Sequence, residues 1–534
     1  MNPHRAARLA APAAFTLVTI ALLAWVIHYG PTWLSRDSFG YLYYLNMAES
    51  GDLSFTKMLL ARNNEHLVAF QYAFALASLK VFSMHFRALI FESVVFLVLT
   101  GVLVFATLRH SRVANRFAIL LPFAIAIPLL NTSQASYLLW EFQTWLYYDF
   151  AFLAANILLI EKYRFRAYPA VLLMCILASG SEAQGSFLWL AAGAHLFWVS
   201  IFDRKAGARI AGTLILAAHL VIFLGLAWLL MHGEYVSGAA NSLVHQAAPG
   251  RISAHVVYFV SIMGGGFGIR SATAALIFGA VSMLLWCVFT AIGLRQKFDA
   301  VELRVAFLLT GLPLLWTLAF AVAREPLGLS WAFSEFHASP MLIPFFMGLA
   351  LYALYVAASY RSTVTRWLCY LCVAFAILPT FTGIPVAHER SVQMKVASML
   401  AAAVECNPTH ESFYLRVHLE GLEGVPQAYS LVDHFRTQMC AAQPDTSTWV
   451  PLVTPPAQFA ELMKGDAHTK AAISTLWDVY LSHDDLRRAF KRSDPDLASQ
   501  LLTYAARDAK SGSPYEPSVL APFADEYLRL EPKG

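Results

Sequence analysis

Asp37 is the first residue whose type and place suggest chemistry. It stands in Ser35-Arg36-Asp37-Ser38-Phe39-Gly40-Tyr41, soon after the apolar stretch Ala11–His28. A carboxylate near a low-dielectric boundary, still reached by water, can act as a general base on a hydroxyl. Asp37 also suits a helix N-cap, because Phe39, Leu42, Tyr43 and Met47 follow at helical spacing and Asp caps well; one residue can do both. Farther on, Arg62-Asn63-Asn64-Glu65-His66 offers a second acid/base pair. Glu65 can ionise or hydrogen-bond a hydroxyl-rich acceptor, and His66 can move protons near neutral pH. The alternative is a polar turn that caps the next helix through Asn63 or Asn64.

Three further groups could join them. Glu141 and Gln143 stand in Trp140-Glu141-Phe142-Gln143-Thr144-Trp145, at the start of another apolar run. A carboxylate there costs free energy unless it is paired or wet. Glu182 lies in Ser181-Glu182-Ala183-Gln184, between two apolar runs. Arg324-Glu325 ends a third run; its guanidinium can clamp a phosphate, snorkel to headgroups or pair with Glu325. Arg62 and Lys80 are further cations with the same potential.

These residues need elements to hold them, and the composition says which kind. The 534 residues are 58% hydrophobic and 13% charged, where a soluble domain carries about a quarter charged. Mean hydropathy is +0.55. Crossing a bilayer takes roughly 20 apolar residues, and eleven crossings are predicted: 11–29, 88–108, 117–131, 144–160, 167–180, 186–202, 209–231, 272–294, 302–323, 339–359 and 366–385. With the N-terminus in the cytoplasm, the cytoplasmic segments of residues 1–386 hold 16 Lys and Arg, and the other side holds eight. That bias follows the positive-inside rule. It places Asp37, Glu65, Glu141 and Glu182 together on the outer side.

Leu67–Phe82 and Ile252–Gly268 are apolar too, but letting them cross would break this pattern. They read as interfacial or re-entrant helices, which line protein or water-filled cavities, and Gly264-Gly265-Gly266 favours a break in the second. The chain thus divides into a multi-span domain, residues 1–386, with a large first outer loop at 30–87, and a periplasmic domain, residues 387–534.

The tail carries 19 acidic and 14 basic residues. It reads as mostly helical, at Val392–Glu405, Gln427–Met439, Lys470–Leu481 and Pro495–Ala506. Cys406 and Cys440 are its only cysteines. They can pair in an oxidising compartment or stay as buried thiols. Cys369 and Cys372 have CxxC spacing inside an apolar helix, with no second pair to complete a metal site. No run of like charge suggests nucleic acid as a partner. No Walker, GxSxG or HExxH motif is present, and no spacing assigns a metal or other cofactor.

The layout resembles the GT-C superfamily of multi-span glycosyltransferases. Asp37 matches the acidic residue that those proteins place just after the first span. Asn64-Glu65-His66, Trp140-Glu141-Phe142-Gln143 and Arg324 resemble, more narrowly, a bacterial group carrying an Asn-Glu-His motif. The Arg that commonly follows this His is Leu67 here, and an expected Arg-Tyr pair reads His337-Ala338. The resemblance implies inverting transfer from a polyprenyl-phosphate sugar donor to a periplasmic or lipid-linked glycan acceptor, in a bacterial inner membrane. Asp37 would be the base, with Glu65 and His66 beside it. Arg324, with Arg62 or Lys80, would meet the leaving phosphate, and Glu141 and Gln143 would contact substrate. The two unassigned apolar stretches would form lipid-facing walls. Some relatives need a divalent metal. The rival readings are a lipid-linked glycan transporter, which calls for ionisable residues within spans, and a non-catalytic envelope assembly protein.

Overall fold

The structure is a computed structural model. It describes residues 3–34, 38–63, 66–129, 134–201, 206–232, 252–269, 271–324, 338–388 and 428–441, with Ala332, Ser391, Met394, Lys395, Ser398, Ala402, Cys406 and Gln443. Side chains within these stretches are described except at a few positions, named below where they matter. The described residues are helical apart from loops, short 3-10 turns and one two-residue hairpin.

A helix stands at each of the eleven predicted crossings. In chain order the long bundle begins with α1 (Pro3–Tyr29). The first loop then supplies α2 (Phe39–Glu49), α3 (Phe55–Leu59), strands β1 (Arg62–Asn63) and β2 (His66–Leu67), and α4 (Ala69–Val81). Then follow α5 (Arg87–Leu108), α6 (Arg112–Arg116), α7 (Leu120–Leu129), α8 (Ala135–Leu138), α9 (Thr144–Tyr163), α10 (Tyr168–Ser179), α11 (Phe187–Ile201) and α12 (Ala206–His232). The rest are α13 (Ile252–Gly265), α14 (Ala272–Arg295), α15 (Val301–Arg324), α16 (Ala338–Met341), α17 (Ile343–Ser359), α18 (Thr363–Thr382) and α19 (Ala428–Ala441).

Six of the apolar helices have the length and composition to cross a membrane: α1, α5, α12, α14, α15 and the helix continuing α18 to His388. The helices at the other five predicted crossings are shorter or carry more polar residues. In α1, Ala11, Ala14, Phe15, Val18, Leu22 and Val26 are buried at helical spacing, while Leu9, Leu17, Ile20 and Ile27 face outward. A helix apolar on both its inner and outer faces belongs in lipid. At the centre stands α17, whose residues from Ile343 to Ala357 are all buried. It packs against α15 where Gly348 lies over Ala306 and Thr310.

Hydrogen bonds sort the helix ends into two sets. At the basic end, Arg304 Nε and Nη2 donate to Glu161 Oε1 and Oε2 at 2.7 and 2.8 Å. His195 Nε2 lies 2.8 Å from Glu161 Oε1. Val113 N donates to Glu302 Oε1 at 3.3 Å, and Arg116 Nη1 to Ala358 O at 2.8 Å. At the loop-rich end, Arg87 Nη2 donates to Gly30 O at 2.8 Å, Phe70 N to Gly180 O at 2.8 Å, Trp316 Nε1 to Gln184 O at 2.9 Å and Thr380 Oγ1 to Ile127 O at 3.2 Å. None of these bonds joins a segment predicted on one side to a segment predicted on the other.

Two expectations change in detail. The stretch expected to be one helix from Leu67 begins instead as a strand. Arg62 pairs with Leu67 and Asn63 with His66, and α4 starts at Ala69 with Val68 at the N-cap and no side-chain cap bond. The backbone of Asn63 pairs in a ladder, and the N-cap position falls to Val68. The second stretch is helical to Gly265 and turns at Gly268, with φ of +65°, where the glycine run favoured a break. In the tail, α19 falls on predicted helix Gln427–Met439. The predicted helices Lys470–Leu481 and Pro495–Ala506 lie outside the described residues.

Candidate functional site at the loop-rich end

The centre of this end is a polar side chain in an apolar helix. Gln71, on α4, is buried. Its Nε2 donates to Tyr41 Oη of α2 at 2.8 Å and to Phe142 O. Both amide hydrogens are thus used, and three elements are tied: α2 and α4 of the first loop, and the 3-10 turn Glu141–Gln143. Aromatic rings surround the knot. Tyr41 and Tyr44 meet Tyr72 at centroid distances of 5.3 and 4.7 Å, edge-on as ring quadrupoles prefer. Gly40 is required here, because a Cβ would lie 2.4 Å from Tyr72 Oη.

Beneath the knot are three carboxylates. Glu92 of α5 accepts from Ser78 Oγ of α4, and from Tyr148 Oη of α9 at 3.0 Å. Asp149 is 1% exposed, and neither of its carboxylate oxygens has a hydrogen-bond partner. Glu182, 5% exposed, acts on Asp149 electrostatically from the turn between α10 and α11. Asp149 lies within the predicted crossing 144–160. Among the described residues, no group of three His, Cys, Asp or Glu gathers as a metal site.

The predicted site residues fall out as follows. Asp37 and Glu65 lie outside the described residues. For Arg62, His66, Glu141 and Arg324 only the backbone is described. Arg62 and His66 flank the hairpin tip, Glu141 opens the turn that Gln71 holds, and Arg324 ends α15. Trp316 joins α15 to Gln184 eight residues earlier, so Arg324 stands about 12 Å farther along the axis. Gln143 is 5% exposed, and its Oε1 accepts from Trp145 Nε1 at 2.8 Å, so that oxygen braces the start of α9. Lys80 is exposed at the far end of α4.

The tail reaches this end as well, which no sequence signal announced. Ser398 Oγ accepts from Thr32 N at 2.7 Å and from Trp33 N at 2.9 Å. Gln443 Nε2 donates to Thr32 O at 2.6 Å. Helix α19 packs on α2, burying Leu431, Phe435 and Met439 in the cluster that holds Leu42 and Leu45. Cys406 and Cys440 form a disulfide; the other four cysteines are free.

The chain matches no family model, no curated protein and no solved structure.

Proposed function

We propose that this protein is a membrane glycosyltransferase. It moves a sugar from a polyprenyl-phosphate donor to a periplasmic or lipid-linked glycan acceptor, at the loop-rich end. The observation that carries this reading is the knot at Gln71. It gathers the first loop and the Glu141–Gln143 turn, while Phe70 N joins the same helix to Gly180 beside Glu182. These ties link the first loop, which carries Asp37 and Glu65 in sequence, to the turns that carry Glu141 and Glu182.

In the proposed reaction Asp37 takes the acceptor hydroxyl proton. The acceptor oxygen bonds to the anomeric carbon as its bond to the donor phosphate oxygen breaks, with inversion. Glu65 and His66 stand beside this step. Arg324, with Arg62 or Lys80, offsets the charge on the departing phosphate, and Glu141 and Gln143 contact the sugars.

The same reading has eleven crossings, with the N-terminus cytoplasmic and the tail periplasmic. The partition of hydrogen bonds between the two ends supports it, and so does the disulfide, since such bonds persist in oxidising compartments. Complementation of a surface-glycan defect tests the function. Wild type should restore glycan and Asp37→Asn, at equal protein level, should not. Normal glycan from the variant removes the base assignment.

A second reading has one specific observation in its favour. Asp149 is an unpartnered carboxylate inside the bundle, the kind of group that ion-coupled transporters use. If Asp149→Asn abolishes glycan export while Asp37→Asn has no effect, transport is the better account.

A further inference from the structure

The tail touches the first loop at two places. At the first, Ser398 Oγ receives the amides of Thr32 and Trp33, and Gln443 Nε2 holds the carbonyl of Thr32. At the second, α19 packs on α2, with His434 Nε2 3.4 Å from Glu49 Oε2. Between these two grips lie Leu34, Ser35, Arg36, Asp37 and Ser38. The grips come from two arms of the tail, one carrying Ser391 and Ser398 and the other α19 with Gln443. The Cys406–Cys440 disulfide joins the arms. The first arm is seated on α1 as well, where Trp25 Nε1 donates to Ser391 Oγ at 3.1 Å.

We infer that the tail is a strap that fixes where the chain leaves α1, at Thr32 and Trp33, a few residues before Asp37 in sequence, and that Ser398 is its positioning residue. Thr32 and Trp33 lie beyond the last turn of α1, so their amides need acceptors from elsewhere, and the chain's path stays open until something supplies them. Here one hydroxyl oxygen accepts two consecutive amides, which fixes two peptide planes at once. It does so immediately after Gly30 and Pro31, where the path out of α1 is chosen. The grip on α2 fixes the other end of the short span. The Asp37 part of this inference rests on the proposed base; the strap itself does not.

The test uses the full-length protein in detergent and in cells. Hydrogen exchange read by mass spectrometry follows the Thr32 and Trp33 amides in wild type, Ser398→Ala, Ser398→Thr and the Cys406→Ser/Cys440→Ser double variant. Ser398→Ala should raise exchange at these two amides about tenfold, the loss of one hydrogen bond each. Ser398→Thr keeps the hydroxyl and should restore protection. The double variant should raise exchange in both the Thr32–Trp33 segment and α2. Unchanged protection in Ser398→Ala overturns the strap. In the complementation assay, Ser398→Ala should lower glycan and Ser398→Thr should return it. If Ser398→Ala loosens the amides but leaves glycan at wild-type level while Asp37→Asn abolishes it, the positioning role is overturned. If Asp37→Asn is itself without effect, the base assignment fails and the exchange data still decide the strap.

Discussion

Gln71 Nε2 donates to the Tyr41 hydroxyl at 2.8 Å across 30 residues of the first loop. The bond joins α2 to α4, and the same nitrogen reaches Phe142 O. Replacing Gln71 with Leu would leave the Tyr41 hydroxyl and the Phe142 carbonyl without this donor in a buried site. The expected cost is about 2 kcal/mol, read as a lower melting temperature in detergent. A melting curve unchanged from wild type would mean that water or another group serves both acceptors.

The Arg304–Glu161 pair should behave differently according to how it is broken. Its side chains are 11% and 9% exposed. Arg304→Met alone leaves Glu161 with His195 as its side-chain partner among the described residues and should cost about 3 kcal/mol. Changing both, Arg304→Met with Glu161→Leu, should recover most of that loss, because two desolvated charges disappear together. A double variant as unstable as the single one would show that Arg304 acts mainly through its bonds to Phe298 O and Asp299 O.

Asp149→Asn should raise stability, by about 1–3 kcal/mol, since it exchanges an unpartnered carboxylate for a neutral group of the same shape. Thermal unfolding with parallel complementation separates the outcomes. A more stable, inactive variant marks Asp149 as functional. A less stable one means that a bound proton or ligand was holding the carboxylate.

The cysteines give a direct count. Six are present and two are joined. Alkylation of the denatured, unreduced protein from membranes should add four groups by intact mass, and reduction should raise this to six. Six adducts without reductant would remove the disulfide and with it the link between the two arms of the tail.

The bundle was largely legible because lipid imposes a simple code. Long apolar runs flanked by Arg and Lys marked the helices, and short ones such as Leu120–Leu129 were placed by their flanks. The polar contacts were harder. His195 and His219 lie inside predicted crossings, where nothing in the sequence names their partners, Glu161 and Trp189 O. Gln71 passed as one polar residue in an apolar stretch, because nothing in sequence tells which distant carbonyl a side chain will meet. The start of α4 was misplaced for a related reason. The pairing of Asn63 with His66 is a two-residue ladder, too short to show an alternating pattern. Ser398 is an ordinary serine until Thr32 and Trp33, some 366 residues earlier, come to lie beside it.

That separation bears on how the molecule is made. Trp25 waits for Ser391, and Thr32 waits for Gln443, a partner 411 residues away. A ribosome emits the first loop long before it emits either arm of the tail. Contacts so remote in sequence form late, since the chain between their ends must first be ordered. The contacts between the first loop and the tail therefore form only after the last helix of the bundle has been made. An unfinished chain would lack Ser398 and Gln443, and the backbone of Thr32 and Trp33 would be without them.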